Sequence, residues 1–179
     1  MVQLIEILGN RKILNILLFF IKNPSIEISQ TGLIKKTKIA KATAVKWLDF
    51  LVKNAFLRYK KIGVTNLYKL NNDNLIVKQL KIINTLTYLQ DLNALKDKGI
   101  EIYIYGSSSR GEDTEKSDID LLVIGDIKRN EIINPIDNLS KKINKKINFN
   151  IFKNIEWSMM QKKDKAYYER VEKDNIRLI

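Results

Sequence analysis

The stretch YGSSSRGEDTEKSDIDLLVIG, residues 105–125, decides how the second half of this chain is read. It leaves an apolar segment, turns through a glycine and three serines, passes a second glycine and a charged loop, and re-enters apolar sequence through Ser-Asp-Ile-Asp. Ile100–Tyr105 is rich in β-branched and aromatic residues, which suit a pleated, half-buried strand. Gly106 and Ser107 then open a tight turn into a short helix, and Gly111 closes that turn. Asp118 and Asp120 begin a second strand that continues through Leu121–Ile124. Side chains alternate along a strand, so the two acids share one face and Ile119 takes the other.

Two carboxylates side by side repel each other, a cost that a cation between them relieves. Mg2+ is held by one or two carboxylates together with substrate phosphates. The Gly106-Ser107 turn supplies the other half of such a site, because backbone N–H groups at a helix N-terminus attract phosphate. In two-metal phosphoryl or nucleotidyl transfer, ions about 3.5–4 Å apart stabilise the attacking and leaving oxygens. The pattern therefore fits transfer of a nucleoside monophosphate with pyrophosphate leaving.

In the form G-S-x-x-x-G-x(5)-S-D-I-D-L, these residues resemble the nucleotidyltransferases of the DNA polymerase β superfamily, in their minimal version. The resemblance covers residues 98–179. It implies that Gly106 and Ser107 hold the triphosphate of a nucleotide, ATP first. It also implies that Gly111 lets backbone approach the phosphates, that Arg110 touches them, and that Asp118 and Asp120 are the catalytic acids ligating Mg2+ or Mn2+. The family carries a third carboxylate on a later strand, as metal ligand and base. Here, after a helix over Arg129–Ile143, that strand is Lys146–Lys153 (KINFNIFK), and it holds no acid. Asn148 or Asn150 stands in its place, with Asn148 the candidate metal ligand. An amide oxygen ligates weakly and takes no proton at neutral pH. Asp126 and Glu131 read instead as a loop acid and a helix-start acid. The tail, residues 156–179, is similar to the family's closing helices and last short strand.

The first third has another character. Arg11–Lys22 (RKILNILLFFIK) reads as a mostly buried helix that Asn23-Pro24 ends. ISQTGLIKKT (28–37) gives a short helix, and IAKATAVKWLDFLVKNAF (39–56) a longer one with Val45, Leu48, Leu51 and Val52 on its apolar face. FLRYKK and NLYKL read as two strands joined near Gly63, a hairpin carrying Arg58, Lys60, Lys61 and Lys69. This order resembles the winged helix-turn-helix regulators of archaea and bacteria. The resemblance implies DNA as partner, with Lys41–Asn54 in the major groove and the hairpin over a phosphate strand. Lys41, Thr43, Lys46, Trp47, Arg58, Lys60 and Lys61 are the residues it brings to DNA. Ala40 departs from the pattern by forgoing a capping serine.

Charge follows the same division. Residues 1–73 hold 13 Lys/Arg against 4 Asp/Glu, whereas residues 74–179 hold 19 against 16. Net charges of +9 and +3 follow, and a basic first domain calls for an anionic partner. Leu75–Lys98 has no Pro or Gly until Gly99 and reads as one long connecting helix. Its rows Leu75, Ile82, Leu86, Leu89 and Ile76, Leu80, Ile83 pack on both domains or on a second copy of the chain.

The chain has no Cys and no His, which excludes disulfides, thiolate or imidazole metal sites and His-based general base chemistry. Its apolar run Ile13–Ile21 is too short to cross a bilayer, so a soluble cytoplasmic protein is expected. The expected fold is α/β overall. It comprises a winged helix over 1–73, a connecting helix over 74–98 and a nucleotidyltransferase domain with a small mixed sheet over 99–179. The expected function is a DNA-binding regulator whose second domain binds nucleotide and Mg2+. The alternative is an active transferase acting on a protein, RNA or small-molecule acceptor. A homodimer and an unidentified partner protein are compatible with either.

Overall fold

A computed structural model describes residues 9–179. The chain forms two compact units, Met1–Lys78 and Gln79–Ile179. No helix among the described residues is long and apolar enough to cross a membrane.

In the first unit, α1 (Arg11–Lys22) starts at Asn10, whose side chain accepts from the backbone N–H groups of Lys12 and Ile13. It buries Ile13, Ile16, Leu17, Phe20 and Ile21. A two-residue strand β1 (Ile28–Ser29) precedes α2 (Gln30–Thr37), where the sequence predicts helix throughout. Ser29 is the cause. Its backbone is extended and its hydroxyl accepts from Gly32 N at 3.1 Å, so it caps the helix instead of joining it. Helix α3 (Lys41–Lys53) begins at Ala40 without a side-chain cap. Its buried stripe is Ala44, Leu48 and Leu51, while Val45, expected inside, is 37% exposed. Ala44 holds the position four before Leu48 and seven before Leu51, which turns the stripe away from Val45. Strands β2 (Leu57–Ile62) and β3 (Thr65–Leu70) pair antiparallel, with Gly63 at φ +57° in the turn between them. The sheet order is β1-β3-β2.

Helix α4 (Leu75–Leu89) passes from one unit to the other and continues as a 3-10 helix over Gln90–Lys98, not as one α-helix. Leu89, Leu92 and Leu95 are all buried, and at 3.0 residues per turn a three-residue spacing runs straight along one side of the helix. Gly99, at φ +66°, ends it. Of the expected apolar rows of α4, Leu80, Ile82 and Leu89 are buried, whereas Leu75, Ile76 and Ile83 are exposed. A further buried stripe runs Val77, Lys81, Thr85, Leu89, at four-residue spacing and half polar.

The second unit is built on a four-stranded sheet of order β6-β5-β4-β7, comprising β4 (Glu101–Tyr105), β5 (Ile119–Ile124), β6 (Ile147–Phe152) and β7 (Ile176–Arg177). β4 and β5 are antiparallel across the loop 106–118. β5 and β6 are parallel, which requires a crossover, here α5 (Arg129–Ile143). α6 (Asn154–Lys163) and α7 (Lys165–Asp174) follow β6. Alternation gives the sheet two unlike faces. Ile102, Ile104, Ile119, Leu121 and Val123 pack with Ile132, Ile136 and Leu139 of α5 and with the 3-10 leucines. The opposite face carries Tyr105, Leu122 and Ile124 under Val171 of α7, beside Trp157 and Tyr167. The site lies on this second face.

Candidate functional site

Strand register brings the site together. Asp120 is paired with Tyr105 on β4 and with Asn148 on β6, and Asp118 lies two residues earlier on the same side. Asn148 Nδ2 donates to Asp118 Oδ2 at 3.0 Å and to Asp120 Oδ1 at 3.2 Å. Both carboxylates thus converge on one amide nitrogen. Lys146 Nζ donates to Asp118 Oδ2 at 3.2 Å. The Asn148 bond, then Lys146, holds the Asp118 carboxyl below the usual carboxylate range. Of the two asparagines, Asn148 is the one beside the acids, whereas Asn150 pairs with Leu122 and donates to Tyr167 Oη at 3.1 Å. Tyr105 Oη lies 3.4 Å from the same phenol, and burial, then Tyr167, pushes the Tyr105 hydroxyl up.

Gly106 to Gly111 form a turn without the expected short helix. Both glycines have left-handed φ, +79° and +65°, and Ser109 Oγ donates to Gly106 O at 2.8 Å, taking the acceptor that a helix would use. Ser108 and Ser109 are buried, whereas Ser107 is half-exposed. A Cβ on Gly106 would stand 3.1 Å from Asp120 Oδ2, so glycine keeps the turn close to the acids. Arg110, expected on phosphate, bonds Glu112 Oε2 at 2.9 Å and Asp174 Oδ2 at 3.0 Å, fastening the turn to α7.

Two features escape sequence reading. Lys146 is one: it precedes Asn148 by two strand positions, so the period-two rule alone sets it on the site's face. The other is a buried ionic cluster. Lys81 Nζ, on a side chain 3% exposed, donates to Asp113 O at 2.5 Å and lies 3.5 Å from Asp113 Oδ1. Lys145 Nζ lies 2.6 Å from Asp113 Oδ2. Burial lowers the Lys81 ammonium pKa, and Asp113 opposes that shift.

As a cation site the donor set fits in part. Among the described residues no group of three or more His, Cys, Asp or Glu side chains could hold a metal ion. Asp118 and Asp120 supply two hard oxygen donors, and Asn148 supplies a third if its amide turns to present Oδ1. Mg2+ or Mn2+ commonly takes such a set with phosphate and water completing the shell.

In the first unit, Lys41 and Lys46 are exposed on α3, and Thr43 and Trp47 are half-buried. Lys46 Nζ stands 4.8 Å from the centre of the Trp47 ring. On the hairpin, Arg58 pairs with Asp73 at 2.9 Å, Lys60 pairs with Glu27, and Lys61 is exposed. Lys60, then Lys69, keeps the Glu27 carboxyl low.

Residues 83–175 match the model of the family described as nucleotidyltransferase domain. The match includes the 106–111 turn, both acids and Asn148. A Methanocaldococcus jannaschii protein named "Putative protein adenylyltransferase" is 35% identical over 36% of this chain and 82% of its own length. A solved structure from Sulfolobus solfataricus, described as "a putative nucleotidyltransferase", is 19% identical over 56% of this chain and 85% of its own, with a TM-score of 0.32.

Proposed function

This chain belongs to the nucleotidyltransferase domain family, and on that premise we propose that its second unit binds a nucleoside triphosphate with a divalent cation and transfers the nucleoside monophosphate to a hydroxyl acceptor. One observation carries this reading: Asp118 and Asp120 converge within 3.2 Å of a single Asn148 nitrogen, beside a glycine turn that a Cβ would crowd. The name of the Methanocaldococcus relative supports ATP as the nucleotide and a protein as the acceptor.

Each group then has a task. Backbone N–H groups of the Gly106–Gly111 turn and the Ser107 hydroxyl bind phosphate oxygens. Asp118 and Asp120 hold Mg2+ or Mn2+, which, when bound, supplies charge neutralisation and Lewis acidity at the transferring phosphate. The acceptor oxygen bonds to the α-phosphorus, the bond to the β-phosphate breaks, and pyrophosphate leaves. Asn148 lacks a basic lone pair at neutral pH, so the acceptor's proton passes to water and transfer is slow. The test is incubation of the protein with α-labelled ATP, Mn2+ and cell extract. Label transferred by wild type and lost in Asp118→Ala/Asp120→Ala is expected. Equal labelling by both proteins sinks the assignment.

A second reading concerns the first unit. Its net charge of +9 over residues 1–73, with Lys41 and Lys46 exposed on one helix, favours a winged helix that binds DNA and makes the chain a regulator responsive to nucleotide. A homodimer on DNA fits this reading. A gel shift weakening steeply with salt is expected; salt-independent retention contradicts phosphate contact.

A further inference from the structure

Lys81 is a buried cation with no task in the transfer described above. Its side chain is 3% exposed, on the stripe of α4 that Val77, Thr85 and Leu89 complete. An ammonium withdrawn from water is tolerated only when paired and hydrogen-bonded. Both needs are met by one residue, Asp113, through its backbone oxygen at 2.5 Å and its Oδ1 at 3.5 Å.

Asp113 lies between the phosphate turn and Asp118. It is the one buried side chain of residues 112–118. The rest of that segment is held by its own turn, in which Thr114 N donates to Ser117 Oγ at 2.9 Å, and by Glu112 N to Ser107 O at 2.9 Å. The remaining Asp113 oxygen, Oδ2, takes Lys145 at 2.6 Å. Lys145 precedes Lys146, which bonds Asp118 through its side chain and accepts from Ile119 N through its carbonyl at 2.9 Å. The chain Lys81–Asp113–Lys145 therefore joins α4 to both halves of the cation site. One half carries Asp118 and Asp120, the other Lys146 and Asn148.

We infer that Lys81 is a positioning residue, which through Asp113 and Lys145 fixes the loop end at Asp118 against the start of β6 and so keeps the carboxylate pair ready for a divalent cation. The local part of this claim stands on geometry alone; its consequence for cation binding rests on the function proposed above.

Lys81→Met and Asp113→Asn test it in two arms. Without added cation, amide hydrogen exchange is followed at Glu112, Thr114, Ser117 and Ile119, with Ile102 and Leu122 as strand references. Exchange about tenfold faster at these four amides, with the references unchanged, is expected in both variants. Wild-type exchange at those amides in either folded variant overturns the inference. Should Lys81→Met fail to fold, the near-isosteric Asp113→Asn decides. In the second arm, Mn2+ with ATP is titrated into folded variants, and affinity is expected to fall about tenfold. Unchanged affinity in a variant whose loop has loosened also overturns it. If wild type itself binds no Mn2+ with ATP, the proposed function fails, and the exchange arm still decides whether Lys81 fixes the loop.

Discussion

Two clusters of lysines and carboxylates lie within a few residues of each other, and they differ in what surrounds them. At Lys81, Asp113 and Lys145, the ammonium of Lys81 and the carboxylate are withdrawn from water and spent on one another. At Lys146, Asp118, Asp120 and Asn148, the side chains of Lys146 and Asp118 are 70% and 36% exposed, and two carboxylates share one amide. The first is closed to solvent, with Asp113 bonded to Lys81 through its carbonyl and to Lys145 through Oδ2 while Oδ1 accepts no hydrogen bond, and it makes a fastening. The second leaves carboxylate lone pairs open to solvent beside a glycine turn, which is the condition for taking a ligand.

The sharpest way to break this comparison is to remove one member of the buried cluster. Lys81→Met is expected to cost about 1–3 kcal/mol, because it leaves the buried Asp113 carbonyl without its donor while Lys145 still pairs the carboxylate, and chemical denaturation measures it. Lys146→Met should leave the melting temperature within about 2 °C, as surface pairs contribute little. At the open cluster the large effects fall on binding. Asp118→Ala/Asp120→Ala is expected to weaken Mn2+ with ATP by about a hundredfold or more while the protein stays folded. Asn148→Asp restores a third carboxylate, and Mn2+ affinity should rise about tenfold, with faster label transfer. Unchanged affinity in that variant would show that the Asn148 position does not face the cation.

The smallest effect is a titration. A carboxyl with a lowered folded pKa gains stability from its partners above its unfolded value and loses it as pH falls through the folded one. Asp118 is held low by Asn148 first and Lys146 second. Asn148→Ala should therefore move its titration upward, towards the ordinary carboxylate range, as followed by carboxyl NMR. No movement would mean that the Asn148 bond is not formed in solution.

Much of the site was legible because its signals are local. Gly106, Gly111, Asp118 and Asp120 follow from turn chemistry and strand period, and the strand over residues 147–152 was anticipated with its missing acid. The choice between Asn148 and Asn150 was not legible, since both occupy the same face of one strand. Only the pairing of Asp120 with Asn148 separates them, and register is a long-range property. The short helix after Gly106 failed because serine side chains compete for backbone partners, a tendency that apolar periodicity does not register. Lys81 was hidden for a related reason. A stripe of Val77, Lys81, Thr85 and Leu89 looks half-solvated until Asp113 arrives from 32 residues away to pair with its lysine. The change from α to 3-10 helix at Gln90 was not legible, because the three-residue spacing of Leu89, Leu92 and Leu95 suits one face of either helix.

The most direct test of the open cluster is a calorimetric titration of Mn2+ with ATP into the wild-type protein and into Asp118→Ala/Asp120→Ala. Saturable binding of both together to wild type, abolished in the variant, is the predicted result. No binding to wild type, or equal binding to both proteins, would contradict the assignment of Asp118 and Asp120 as the cation and nucleotide site.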